Sequence, residues 1–248
     1  MLPPPADASH RVFSRAQAFD APGATNVAWL SALDVDGTHS SLTIFCGPLT
    51  DVPHLCSRVT LGADGTSLAL FLDWRPRSYG AYETVRDDGT YPGPDVLGRE
   101  AFAYSGARKA NDDKFYTAEL RATVDELRGA LDGAVDGAPV AQLSELEQLT
   151  RGPLCVDLTC PLTDGNVAAI AAARAQAAAA WLAWMQDGGN AHKPGAPVNT
   201  QYVYDSKAKI NMYGVLLEVL KARFGEDGVA LTAADSGPLD EAYVGGGS

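Results

Sequence analysis

The residues best suited to chemistry sit at the end of one predicted hairpin, in Asp73-Trp74-Arg75-Pro76-Arg77. A carboxylate, an indole and two guanidiniums in one short run would line a pocket for a flat, acidic, aromatic molecule. The guanidinium fork pairs with carboxylates bidentately and also stacks on rings. The stretch 53–77 supplies the frame. Its two apolar runs flank Gly62-Ala63-Asp64-Gly65, whose Asp-Gly pair favours positive φ and so predicts a β-hairpin. Alternation puts Leu55, Ser57, Val59 and Leu61 on one face of the first strand, and His54, Cys56, Arg58 and Thr60 on the other. In the second strand Leu68, Leu70 and Leu72 oppose Ala69, Phe71 and Asp73.

Several function classes drop out. There is no G-x-G-x-x-G or Walker-type loop for a dinucleotide or triphosphate. Neither a G-x-S-x-G elbow nor an H-E-x-x-H helix occurs. His10, His39, His54 and His192 are too scattered to propose a metal site. A formal charge of -12, with no basic stripe to neutralise phosphates, argues against nucleic acid. Cys46, Cys56, Cys155 and Cys160 lack metal-type spacing and read as buried free thiols in a reducing compartment. With 248 residues, 46 % hydrophobic, the chain can bury a core as a single domain, with residues 1–9 and 226–248 loose. No apolar run approaches the roughly 20 residues of a membrane span, and no targeting peptide is recognisable.

The elements that must hold these residues follow in chain order. Residues 11–19 form a weak strand; 26–35 and 41–46 form two stronger ones; the hairpin comes next, so sequential strands pair antiparallel. Residues 79–111 are irregular. Helical spacing covers 117–131 and 138–149, and 154–160 is a last strand. Asp164 can cap an Ala-rich helix over 167–186, near whose end Trp181 and Trp184 are expected in the core. Residues 187–204 break every pattern. A final helix over 206–224 carries Ile210, Tyr213, Leu217 and Leu220 on one stripe and stops at Gly225. The sum is an α+β layered domain.

The run Pro53-His54-Leu55-Cys56-Ser57-Arg58-Val59-Thr60-Leu61, followed by 67–77, resembles the core hairpin of the red chlorophyll catabolite reductases and their relatives, the ferredoxin-dependent bilin reductases. Leu72, Asp73, Pro76 and Arg77 match the reductase pattern. Asp205-Ser206-Lys207 resembles the stretch that opens the family's last helix, and Ala222-Arg223-Phe224-Gly225 its end.

The resemblance implies an α/β/α sandwich with a central antiparallel sheet flanked by helices. It implies reduction of an open-chain tetrapyrrole, a red chlorophyll catabolite or a bilin such as biliverdin. No metal or flavin is bound; reduced ferredoxin is the external electron donor, and side-chain carboxyls supply protons. The compartment would be the plastid stroma or a bacterial cytoplasm. On this reading Asp205 and Asp73 are the catalytic acids. Arg58, Arg75 and Arg77 bind propionates, and His54, Trp74 and Lys207 complete the substrate site. A proton donor here needs a carboxyl whose pKa a dry pocket has raised. The family's acidic position on the first hairpin strand falls on Arg58, and its pocket histidine falls near 41–43, where there is none. Either Asp205 and water carry protonation, or the chain binds a tetrapyrrole without reducing it. Asp205 also suits a helix N-cap, and Asp73 a turn-binding carboxylate.

Overall fold

The computed structural model describes residues 27–47, 49–77, 112–190 and 196–237. The expected strand at 11–19, the irregular 79–111 and the histidines at 10 and 192 lie outside them.

A six-stranded antiparallel sheet runs in the order β1-β2-β3-β4-β6-β5. Its strands are β1 (Val27–Val35), β2 (His39–Cys46), β3 (His54–Leu61), β4 (Ser67–Arg75), β5 (Val135–Asp136) and β6 (Val156–Pro161). Local chemistry makes the turns. Asp36 and Gly37 both take positive φ, 49° and 66°, as a tight hairpin between right-twisting strands requires. In the next hairpin the Asp64 carboxylate accepts from the Thr66 amide at 2.9 Å and hydroxyl at 2.8 Å. The two-residue β5 is too short to show as a pattern in the sequence.

Beside a helical turn at 112–115, five α-helices among the described residues cover the sheet: α1 (Ala118–Ala130), α2 (Glu145–Thr150), α3 (Asp164–Gln186), α4 (Ala196–Phe224) and α5 (Asp227–Ser236). Several differ from expectation. The helix expected over 138–149 is a 3-10 turn at Val140–Gln142 followed by α2, because Ser144 and Glu147 form a capping box that restarts the chain. Thr163, not Asp164, caps α3, and Asp164 lies in its first turn, where a carboxylate suits the helix dipole. The patternless stretch 187–204 already holds the start of α4. Its Pro197 falls in the first turn, where no amide partner is lost. The buried stripe of α4 is Ala208, Met212, Leu216 and Leu220, shifted from the expected one. Of the tail expected to be loose from 226, residues 227–236 fold as α5, and 238–248 lie outside the described residues.

Helices cover both faces, as an α/β/α sandwich requires. On one face Leu55, Leu70, Leu72, Trp74 and Leu158 pack against Leu120 and Val124 of α1 and Ile170 and Trp181 of α3. Each such side chain stabilises by about 1.5–3 kcal/mol when fully buried. By length and composition α3, at 23 residues, would suffice to cross a membrane, contrary to the expectation that no apolar run approaches that length. Here its buried positions recur along one side against the core, and Arg174 at mid-helix donates to Ser57 Oγ at 2.9 Å and Ser40 Oγ at 3.1 Å. Trp184 meets Phe115 edge-on at 5.2 Å. The four cysteines are free thiols, and all but Cys155 are buried. The second face, beneath α2, α4 and α5, is polar.

Candidate functional site

Register alone assembles the polar face. One row across the sheet reads Leu33, Ser41, Arg58, Phe71, Asp157; the next reads Ser31, Thr43, Cys56, Asp73. His39, Thr60 and Ala69 flank it on one side, and His54 and Arg75 on the other. The split that alternation predicted for β3 and β4 is the observed one.

Over the middle of this floor lies a cavity of about 180 Å³, lined by Arg58, Phe71, Arg75 and Asp157 below, Val215 and Val219 of α4 above, and Arg151 beside α2. Three guanidiniums converge on the Phe71 ring: Arg58 at 4.3 Å, Arg75 at 5.3 Å and Arg151 at 5.6 Å from its centroid. Arg151 is neutralised by Asp157 at 2.7 Å and Glu147 at 3.6 Å. Arg75 is only 4 % exposed and lies 3.4 Å from Asp73 Oδ2. Its Nε and Nη1 hydrogens have no hydrogen-bond acceptor among the described residues. A buried guanidinium left this way is costly unless an anion completes it.

Three carboxyls face the same side in three different states, Asp73 and Asp235 fully buried and Asp205 nearly so. Asp205 is bound bidentately by Arg77, through Nε at 3.1 Å and through Nη2. Arg77 is itself fully buried and also donates to the carbonyls of Thr50 at 2.9 Å, Val52 at 3.3 Å and Gly47 at 2.9 Å. Burial would raise the Asp205 carboxyl, but Arg77 and His54 outweigh it and hold it below the ordinary carboxylate range. The Cys46 amide donates to His54 Nδ1 at 2.9 Å, so the ring proton is on Nε2, 3.5 Å from Asp205 Oδ1. Burial lowers the His54 pKa and keeps that ring neutral.

Asp73 has no exposed surface, and both its oxygens accept from the Gly152 amide at 3.1 Å. Burial pushes its pKa up, against the pull of Arg75. A side chain at 152 would run into the Trp74 carbonyl at 2.3 Å, so the approach requires glycine.

Asp235, near the end of α5, is the third. Its Oδ1 accepts from Thr43 Oγ1 and lies 3.5 Å from Ser31 Oγ, while Oδ2 completes no hydrogen bond among the described residues and the Ser41 hydroxyl faces the carboxyl. Its backbone carbonyl accepts from Trp29 Nε1 at 2.8 Å and from Ser31 Oγ. Burial raises this carboxyl too, with Arg58 and the hydroxyls opposing. At the far end of the floor, His39 Nδ1 meets Thr60 Oγ1 at 2.9 Å, and burial lowers its pKa to about 4.

No protein-family model and no curated protein matches the sequence. Among solved structures, the chain is similar to selenomethionine phytochromobilin synthase from tomato in complex with biliverdin, with a TM-score of 0.55 and 14 % identity over 90 % of this chain and 70 % of that one. The likeness is one of fold.

Within that fold the residues expected from sequence separate. Arg58, Arg75 and Asp73 come together on the polar face; His54, Arg77 and Asp205 form a buried knot at its edge. Arg77 is no free propionate clamp, since its donors are already engaged. Asp205 is not the raised-pKa acid expected of a donor, nor a helix cap, because it lies well inside α4. Trp74 belongs to the opposite, apolar face and is 2 % exposed. Lys207 sits on α4, and its side chain lies outside the described residues. Sequence reading missed Arg151, His39, the Ser31–Thr43 pair and Asp235. Alternation in β2 carried a signal for His39, Ser41 and Thr43. Spacing of four between Leu231 and Asp235 was the signal for α5.

Proposed function

We propose that the chain binds an open-chain tetrapyrrole between the polar face of the sheet and α4 and α5, and reduces it with electrons from ferredoxin. The observation that carries the reading is the group of three arginines around Phe71 beneath α4, within a fold shared with a protein solved in complex with biliverdin. A bilin offers conjugated rings for stacking and two propionates for guanidiniums. Arg58 and Arg75 take the carboxylates, while Arg151 keeps its own acidic partners. The cavity matches the carboxylate end of such a ligand rather than its whole length. A bilin is favoured over red chlorophyll catabolite because biliverdin is the ligand of the similar structure. The compartment is one that holds reduced ferredoxin, the plastid stroma or a bacterial cytoplasm.

A second reading, binding without reduction, is favoured by Arg58 at the position where the resembled families carry an acid. An absorption titration with biliverdin, followed by anaerobic addition of reduced ferredoxin, decides between them. A saturable red-shift, then loss of the long-wavelength band, supports the reductase. A shift that ferredoxin leaves unchanged supports the carrier, and no shift with biliverdin or red chlorophyll catabolite refutes both.

A further inference from the structure

We infer that Asp235 is the proton-exchanging acid of this site: Oδ2–H passes its proton to a ring nitrogen or carbonyl oxygen of the bound pigment, leaving a carboxylate held by Thr43, Ser31 and Arg58. The inference rests on the tetrapyrrole reading above. It follows first from what the other two acids are already doing. Asp205 is committed to Arg77 and ionised, so it has no proton to give. Asp73 has both oxygens accepting from the Gly152 amide and Oδ2 3.4 Å from Arg75 Nε. Asp235 alone of the three keeps an oxygen that completes no hydrogen bond among the described residues, although the Ser41 hydroxyl also faces the carboxyl. Its side chain has no exposed surface and does not itself line the cavity, but Arg58, whose charge acts on it, does.

Its surroundings are built for both protonation states. Thr43 holds Oδ1, Ser31 Oγ lies 3.5 Å from the same oxygen and the Ser41 hydroxyl also faces the carboxyl, which leaves Oδ2, the oxygen without a completed hydrogen bond, as the reacting atom. Two hydrogen bonds to the backbone carbonyl of Asp235 pin the helix end to β1. Gly237, at φ 78°, follows so closely on the Trp29 ring that a Cβ there would lie 2.8 Å from it. The charged and titratable groups facing Asp235 are Arg58 and Cys56 of β3. From α4, Lys209 Nζ lies 5.8 Å from the centroid of the Trp29 ring. From β1 and β2 the nearest groups are hydroxyls. Burial favours the neutral acid before transfer, and Arg58 with the hydroxyls favours the anion after it. In the transfer the Oδ2–H bond breaks and an N–H or O–H bond forms on the pigment. No electron moves, and water restores the proton to the aspartate.

The test needs no turnover. Biliverdin is titrated into wild type, Asp235→Asn and Thr43→Val, and each complex is scanned by absorption across pH without an electron donor. Wild type should show a band of protonated pigment with a defined midpoint. Asp235→Asn, which keeps an oxygen for Thr43, should still bind biliverdin but lose that band. With reduced ferredoxin it should turn over about 100-fold more slowly or worse. Thr43→Val removes a hydrogen bond that favours the anion, and should move the midpoint up by about one pH unit. It carries the test if Asp235→Asn does not fold. An unchanged band in Asp235→Asn, or an unmoved midpoint in Thr43→Val, overturns the inference and leaves the tetrapyrrole reading standing. Failure of wild type to bind biliverdin overturns that reading and the inference with it.

Discussion

Asp205→Asn should damage the fold before it damages any reaction. Arg77 has no exposed surface and the Asp205 side chain is 12 % exposed, so the substitution strips a buried guanidinium of its counter-charge. Removing one partner of a buried pair costs about 3–5 kcal/mol. Arg77 keeps its bonds to the carbonyls of Gly47, Thr50 and Val52, which places the expected loss at the lower end, about 3 kcal/mol. For a chain of this size that is a drop in Tm of roughly 6–12 °C. The pH dependence gives the result its signature. The folded pKa of Asp205 is depressed, so its stabilisation is fully present above the unfolded value of about 3.9 and is lost as pH falls through the folded one. Urea unfolding followed by tryptophan fluorescence, repeated from pH 8 downward, should show a constant gap between wild type and variant that closes only in acid. Arg77→Met should cost a similar amount, and the double variant less than the sum. The reasoning is refuted if Asp205→Asn unfolds within 1 kcal/mol of wild type at pH 7, a threshold well below the roughly 3 kcal/mol expected, or if the gap persists at low pH.

Two further outcomes test the polar floor. Arg75→Met should weaken biliverdin binding about tenfold or more, the loss of one charge-assisted pair, while the dimethyl ester of biliverdin binds wild type and variant alike. Equal weakening of acid and ester would mean that Arg75 holds shape rather than a propionate. His39, with its pKa lowered to about 4, should show flat ring shifts in NMR from pH 8 to well below its unfolded value of about 6.5. Because the folded pKa is the lower one, its contribution is intact above 6.5 and lost as pH falls towards 4. A midpoint near 6.5 would mean that water reaches the ring.

What could be read from sequence, and what could not, divides by distance along the chain. The hairpin was legible because its turn and both its faces are written in 25 consecutive residues, 53–77, with a period of two. That same alternation placed Arg58, Phe71 and Asp73 on one side without any tertiary information. Carried one step further, the alternation puts Trp74 on the side of Leu68, Leu70 and Leu72, where the structure has it, rather than in the substrate site where the resemblance put it. Arg77 and Asp205 were each recognised, but their pairing joins residues 128 apart and fixes the charge state of both. No local pattern reports such a contact. Start and stop signals failed for α4 because Pro197 and the glycines before it read as breakers, although a proline in the first turn costs the helix nothing. The short, alanine-rich α5 carried only a weak stripe, so the acid at its end was hidden.

The arginine at 58 need not mark a dead site. In the resembled families that strand position carries an acid; here the strand supplies the cation, and on the inference above the acid comes from α5. On the proposed reading Arg58 has two separable roles, a clamp for a propionate and, through its charge, a brake on the pKa of Asp235. Arg58→Gln tests both at once. Losing the cation removes an interaction that lowers the Asp235 pKa, so the carboxyl should hold its proton to higher pH. The midpoint of pigment protonation should then move up, as in Thr43→Val. Losing the fork should weaken free-acid biliverdin but not its dimethyl ester. A variant that loses affinity with an unmoved midpoint would make Arg58 a clamp alone, too remote from Asp235 to set its charge. A midpoint that moves while affinity stays constant would leave Arg75 as the carboxylate ligand and Arg58 as the electrostatic partner of the acid.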